Sequence, residues 1–359
     1  MAVLKIHLPR IIENIEKIDH LMKIQNKTWS LVVKVLGQNE AILKEVLRHP
    51  AVLQTHSIGV SQWRALKLIK EINPQLRTLY IKPPSIRNAQ NVVKYADITF
   101  NSSFLTLQAL DAAARKQGKI HKVIIMVEMG ELREGIHREG LLDFYRKVFE
   151  LANIEVIGLG TNLGCMTGIQ PTYDKLLQLV LYEQIIEATF QRKLELVSGA
   201  SSITLPLLSE GKLPAGVNHF RIGEAAFLGT SPLNDKPFLE LRTDTFTLEA
   251  NIVELYRKSN TPDGILTDSG VGEVKLDAKQ EESVHALADF GALDVDPRKL
   301  IPKDKSVRFF GNSSDLTVFD LGENPSHYET GDILKFRLRY MAVAQLMNAG
   351  FVDKKIADN

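Results

Sequence analysis

WSLVVKVLGQNEAILKEVLRHPAVLQTHSIGVSQWRALKLIKEI, residues 29–72, carries the pattern that decides the fold. An apolar run, WSLVVKVL from Trp29, is followed by NEAILKEVLRH, in which apolar residues recur every three and four positions; a second run, QTHSIGVS from Gln54, is followed by SQWRALKLIKEI. Apolar runs bounded by turn residues suit buried strands, and the three-and-four spacing suits amphipathic helices laid against them. Outward from this stretch the alternation continues. Further strand candidates are RTLYIKP (from Arg77), DITFNS (Asp97), KVIIMVEMG (Lys122), IEVIGLGTN (Ile154), LELVSGAS (Leu194) and HFRIGEA (His219), and helix candidates among them are SFLTLQALDAAARKQG, LLDFYRKVFELA and TYDKLLQLVLYEQIIEATFQ. Strands joined by helical crossovers are parallel, and eight such units in about 220 residues match a closed barrel better than an open doubly wound sheet. No GxGxxG follows an early strand, which argues against a dinucleotide-binding fold.

After Gly229 the texture changes. TSPLNDKP reads as a linker, and FLELRTDTFTLEANIVELYRK, VRFFGNSSDLTVFDLG and GDILKFRLRY alternate or run apolar without long helices between them. The expectation is an α/β protein: a (β/α)8 TIM-type barrel over 9–229, then a smaller, mostly β C-terminal domain over 230–359. Strand 2–8 is not needed for the eight and is expected to join the second domain.

The chain has 359 residues, 44 Lys and Arg against 43 Asp and Glu, and a net charge of +1. Such a balance gives no field for a nucleic-acid backbone or an anionic membrane, so neither is an expected partner. Cys165 is the single cysteine, which excludes a disulfide within the chain and a four-Cys zinc site and favours a reducing compartment. MAVLKIHLPR is broken by Lys5, His7 and Arg10 and lacks the apolar core of a signal peptide. The uncharged stretch Val156–Tyr173 is too rich in Gly, Thr and Asn to span a membrane. A cytoplasmic protein is expected.

In such a barrel the active site lies at the C-terminal ends of the strands. Lys34, in strand one between apolar neighbours, would be desolvated there and made a usable amine able to form a Schiff base; the alternative is a lysine that snorkels from the strand end. SGASS (Ser198–Ser202) follows strand seven, and Gly223 follows strand eight, the two places where these barrels bind phosphate. Ordinary turns are the alternative for each taken alone. Arg221, amid apolar residues of strand eight, needs a partner for its guanidinium: a pyridine nitrogen, or a core carboxylate such as Glu128 or Glu224. Arg133, in the loop MGELREG, offers a fork for a substrate carboxylate or is simply solvated. GTNLGC presents Thr161, Asn162 and Cys165, the last with no adjacent base to activate it.

The ordered set of Lys34, Arg133 in MGELREG, Asn162 in GTNLGC, Ser201 and Ser202 in SGASS and Arg221 in HFRIGEA resembles the pyridoxal-phosphate enzymes of the alanine-racemase fold, most closely their ornithine racemase-like branch of amino-acid racemases. GNSSDLTVFD and TGDILKFRLRY resemble that branch's C-terminal domain. The resemblance implies pyridoxal 5'-phosphate as cofactor, held by Lys34 as a Schiff base, with Lys34 also moving the α-proton on one face of the substrate. It places Arg221 at the pyridine nitrogen, where a protonated arginine leaves the ring largely neutral and so favours proton transfer over transamination. Asn162, Ser201, Ser202, Gly223 and Glu224 would complete the cofactor site. Arg133, Ser314 and Asp315 would approach the substrate carboxylate, the latter two from the other subunit of a head-to-tail homodimer.

Three segments depart from that branch's pattern: CMTG has Met166 in a turn that resembles CYGG in the family, GALDVD has Ala292 and Leu293 where longer polar residues are usual, and SSDL has Leu316 in place of histidine. A racemase needs an acid or base on each face of the α-carbon, and Tyr256, Tyr328, Tyr340, Asp294 and Asp315 are candidates for the second. The departures leave open a pyridoxal-phosphate-binding protein without turnover, or one with an altered substrate. A cofactor-free aldolase using Lys34 directly is a third reading.

Overall fold

The computed structural model describes residues 1–267, 272–274 and 281–357. The chain divides into two compact units, one of Ile11–Lys34 and Gln38–Arg242, the other of Met1–Arg10, Val35–Gly37 and Thr243–Asn359.

Strand β1 (Val3–Ile6) belongs to the smaller unit. The larger unit contains β2 (Thr28–Val32), β3 (Ser57–Val60), β4 (Thr78–Tyr80), β5 (Ile98–Asn101), β6 (His121–Met126), β7 (Ile154–Gly160), β8 (Leu196–Ser198), β9 (Ala200–Ser201) and β10 (His219–Ile222). They form one nine-stranded sheet in the order β8-β7-β6-β5-β4-β3-β2-β10-β9. Because β8 and β9 are consecutive pieces of one strand interrupted at Gly199, the sheet closes on itself as eight parallel staves, one for each strand expected from the sequence. Gly199 also lets the helix Tyr173–Phe190 pack close outside: a Cβ there would lie 2.8 Å from Leu179 Cδ2.

The helices form where the periodicity placed them. Trp63–Ile72 buries Ala65, Leu66 and Ile69, a single stripe. Asn39, Ser103 and Thr172 cap the helices Glu40–Leu47, Phe104–Lys116 and Tyr173–Phe190 with side-chain oxygens that accept backbone N–H groups otherwise left without partners. On one side of the barrel Leu79, Ile98, Phe100, Ile124, Met126, Ile157 and Leu196 make an apolar cluster. The opposite wall, from β8, β10, β2 and β3, contributes buried Ser198, His219, Arg221, Ser30 and Ser57. TSPLNDKP is not an extended linker: β11 (Thr230–Ser231) and β12 (Lys236–Pro237) pair as a small antiparallel hairpin within the larger unit.

The smaller unit is mostly antiparallel, built from β13 (Phe246–Ser259), β14 (Glu282–Ala288), β15 (Leu300–Pro302), β16 (Arg308–Asn312), β17 (Thr317–Asp320), β18 (Ile333–Leu338) and β19 (Asp353–Ile356), together with β1. Its sheet runs β15-β18-β13-β14-β17-β16, and β1 pairs antiparallel with β13 and parallel with β19. Alternate residues of β18 are buried, the period expected of a sheet with one face covered. Phe290, Phe319 and Phe336 meet in its core, with ring centroids 5.1 to 6.2 Å apart.

Candidate active site

Arg221 is the centre of the polar wall. Its guanidinium lies 5.3 Å from the centre of the Phe100 ring on β5, a strand that does not neighbour β10, so both side chains point into the barrel. Nη1 donates to the Ser198 carbonyl and, at 2.8 Å, to Ser198 Oγ; Nη2 donates to the Thr161 carbonyl at 2.8 Å and to Asn162 Oδ1 at 2.9 Å. These acceptors are neutral, and neither Glu128 nor Glu224 is among them. Burial lowers the guanidinium to about 10, a shift that Glu134 opposes and Arg133 reinforces, so Arg221 stays charged at neutral pH.

From Asn162 the network continues outward. Asn162 Nδ2 donates to Glu134, and Glu134 takes both Nε and Nη2 of Arg133. The remaining arm of Arg133, Nη1, lies 2.6 Å from Cys165 Sγ. The fork expected for a substrate carboxylate is thus already engaged by a carboxylate of the chain itself, adjacent in sequence and almost buried.

Two more glutamates shape these loops, Glu128 just before MGELREG and Glu131 within it. Glu128 accepts the backbone N–H groups of Gly130, Leu132 and Arg133. The loop folds so tightly that a Cβ on Gly135, at φ +148°, would lie 2.3 Å from Glu128 N. Glu131 is buried and accepts from the backbone of Gly164, Cys165, Thr167, Gly168 and Ile169 at 2.8 to 3.4 Å, fixing the loop after β7. Burial pushes its carboxyl up, but the backbone donors outweigh it and hold the group below its ordinary value. Glu131 and Glu134 are not among the candidates read from the sequence, and Glu128 is there only as a partner for Arg221, not as the anchor of this loop. The available signal was the density of carboxylates, one every three residues, in a glycine-bounded loop at the C-terminal end of a stave.

Lys34 differs from the sequence expectation. The ladder ends where Val33 N donates to Gly59 O at 3.0 Å, and Lys34 opens a 3-10 turn (Lys34–Leu36) beyond the strand. It is exposed, not desolvated inside the barrel. Its charge acts on Glu224, whose carboxyl is raised to about 7 chiefly by burial and by Asp235, against the effects of Thr230 and Lys34. Ser202 is buried, and its Oγ accepts from Gly223 N at 3.4 Å and Ala225 N at 3.2 Å, which brings the ends of staves seven and eight together. Beside it, Ser201 is tied by its backbone to Thr204 Oγ1 at 2.7 Å. The larger unit therefore gathers Ser201, Ser202, Gly223 and Glu224 in one group and Arg221, Asn162 and Arg133 in another, with Lys34 linked electrostatically to the first.

Ser314 and Asp315 lie in the smaller unit, where Ser314 Oγ donates to Asp315 Oδ2 at 2.7 Å. Two of the departing segments meet there: Ala292 N donates to Ser313 O at 2.9 Å and Leu293 N to Ser314 O at 3.0 Å. Met166 and Leu293 are exposed at 60% and 68%, so neither is a core filler. Of the second-base candidates, Tyr328 donates to Asp304 at 3.1 Å, Tyr256 is exposed, and Asp294 is buried with Oδ2 accepting from Gly291 N. Among the described residues no helix is long and apolar enough to cross a membrane.

Residues 6–232 match the family model described as "Alanine racemase, N-terminal domain". An ornithine racemase of Acetoanaerobium sticklandii is 30% identical, covering 98% of this chain and 98% of its own length. A lysine racemase of Thermotoga maritima is 27% identical over 96% of this chain and 98% of its own. In fold the chain is similar to the alanine racemase of Bartonella henselae solved with covalently bound pyridoxal phosphate: TM-score 0.70, 16% identity, 99% of each chain covered. The closed barrel with its polar wall and the match across more than half of the sequence agree, and the chain belongs to the alanine racemase N-terminal domain family.

Proposed function

We propose that this protein is a pyridoxal-phosphate-dependent amino-acid racemase. The full-length likeness to two curated racemases supports the reaction, and the same likeness disfavours both a cofactor-binding protein without turnover and a cofactor-free aldolase. The structural observation that carries the reading is Arg221: a buried cation whose direct partners are neutral, at the C-terminal end of the last stave.

The residues fit the cofactor by the chemistry of their donors. Lys34 offers an accessible amine, Arg221 a fixed guanidinium for a ring nitrogen, and Ser201, Ser202 and the backbone N–H groups of Gly223 and Glu224 would serve a phosphate, Gly223 N–H by giving up its long 3.4 Å bond to Ser202 Oγ. A Glu224 carboxyl raised to about 7 keeps a good part of its population neutral, which suits a neighbouring dianion. Pyridoxal phosphate, when bound, supplies the electron sink that acidifies the α-carbon proton. Lys34 removes or returns that proton on one face. Arg221 stays protonated and would leave a ring nitrogen facing it without a proton, which limits delocalisation away from the α-carbon and favours returning the proton to that carbon.

Arg133 reaches a substrate carboxylate only with Glu134 as a standing competitor, so it acts through the one arm not engaged by Glu134. Ser314 and Asp315, from the partner of a head-to-tail homodimer, complete the substrate site in this reading. The enzyme acts in the cytoplasm, consistent with its single, exposed, unpaired cysteine. The names of the two relatives make ornithine and lysine the first substrates to try. The test is reconstitution with pyridoxal phosphate: a visible chromophore forms, is fixed by borohydride, and is lost in Lys34→Ala. Protein that carries no chromophore after addition of the cofactor overturns the reading. Sedimentation at micromolar protein checks the dimer, and a monomer that racemises overturns it.

A further inference from the structure

Behind Arg221 the barrel holds a continuous line of buried polar atoms. Ser198 Oγ lies 2.7 Å from His219 Nδ1; His219 Nε2 lies 2.8 Å from Ser30 Oγ; Ser30 Oγ lies 2.7 Å from Ser57 Oγ. With Arg221 Nη1 at 2.8 Å from Ser198 Oγ, four hydrogen bonds in series cross the polar wall, all among buried residues.

The direction of this line follows from its charged end. A guanidinium only donates, so Ser198 Oγ accepts from Arg221 and its own hydrogen, fully buried, needs an acceptor. His219 Nδ1 is in place to take it. A neutral imidazole carries one donor and one acceptor, so the ring hydrogen sits on Nε2 and is given to Ser30, whose hydroxyl donates in turn to Ser57. With the hydrogen on Nδ1 instead, two donors converge on Ser198 Oγ and the serine hydrogen is left without this acceptor, which is costly for a buried hydroxyl. The groups facing the imidazole agree with a neutral ring. Complete burial, the edge of His56 with its centroid 5.1 Å away, and the charge of Arg221 all hold His219 well below the ordinary histidine range.

We propose that His219 is a positioning residue for Arg221: in its Nε2–H tautomer it turns the Ser198 hydroxyl into an acceptor that locks the guanidinium in place without discharging it. A carboxylate at that position would hold the arginine as firmly, but would cancel the charge on which the proposed role of Arg221 depends. The importance of the lock rests on that role, whereas the tautomer and the lock themselves do not.

The test uses full-length protein without cofactor, labelled with 15N in histidine and arginine. Long-range 1H–15N correlations are expected to show Nε2 protonated and Nδ1 bare, unchanged between about pH 5 and pH 8. An Nδ1–H ring, or imidazolium appearing within that range, overturns the proposal even if no variant folds. The Arg221 Nη resonances are expected to be separate in the wild type, through slow rotation about Cζ–Nε, and to merge in His219→Leu and in Ser198→Ala. His219→Asn, whose amide oxygen replaces the Nδ1 acceptor, restores the separation. Unmerged resonances in a folded His219→Leu protein, judged by unchanged backbone amides elsewhere, also overturn it. Failure to bind pyridoxal phosphate in a separate titration counts against the racemase reading and leaves this result standing.

Discussion

Arg221 Nη2 donates to Asn162 Oδ1 at 2.9 Å, joining the last stave of the barrel to the loop that follows β7. Through Asn162 and Glu134 the buried guanidinium is coupled to a second one, Arg133, at the rim. An amide is suited to this place because it accepts from the cation with one end and donates to the carboxylate with the other.

Asn162→Leu keeps much of the volume and removes both functions. The Nη2 group then loses one of its two acceptors, and Glu134 loses a donor. The expected cost is about 1–3 kcal/mol of unfolding free energy, read by urea denaturation. A change within about 0.5 kcal/mol would place the amide outside the network.

Glu131→Gln is expected to free the loop after β7. Five backbone N–H groups of residues 164–169 converge on the Glu131 carboxylate, and hydrogen bonds to a charged acceptor are worth about 1.5–3 kcal/mol each before the cost of burying the charge. Hydrogen exchange of those amides should quicken while the staves stay protected. Because the folded carboxyl lies below its ordinary value, the stability it contributes is complete above the unfolded value and is lost as pH falls through the folded one. The difference between wild type and variant should therefore shrink in acid. A constant difference down to about pH 3 contradicts this assignment.

Glu224 has the opposite sign. Its folded value of about 7 lies above the ordinary 4.5, so between those limits the folded chain holds a proton that the unfolded chain has released. Stability then falls as pH rises through that window, by about 3 kcal/mol in all. Glu224→Gln should remove this slope and be more stable than the wild type at pH 8, as followed by thermal denaturation of the cofactor-free protein. Equal slopes in the two proteins would mean that the carboxyl is not perturbed.

All eight staves were legible because each is a short apolar run between amphipathic helices, and burial on both faces leaves a strand little choice of composition. The chemistry at their ends was less legible. Lys34 looks like a strand residue since Val35 and Leu36 continue the apolar run; only the backbone shows that pairing stops at Val33 and that the amine is exposed. The engagement of Glu131 with residues 164–169, and of Ser198 with His219, joins positions distant in sequence and leaves no periodic trace. Arg133 could be read as a free fork because nothing in EMGELREG (128–135) says which of its three glutamates turns toward it. The hairpin at Thr230–Pro237 was hidden by its short strands and turn-rich composition, which also describe a linker.

In the racemase reading, Lys34 of a chain loaded with pyridoxal phosphate moves the α-proton of an amino acid. The most direct measurement is proton NMR of the α-hydrogen in deuterium oxide, over a panel of L- and D-amino acids that includes ornithine and lysine. Loaded wild-type protein is expected to exchange that hydrogen for deuterium and to invert the centre of at least one of them, and Lys34→Ala to do neither. No exchange with any amino acid, or exchange undiminished in Lys34→Ala, would contradict the account.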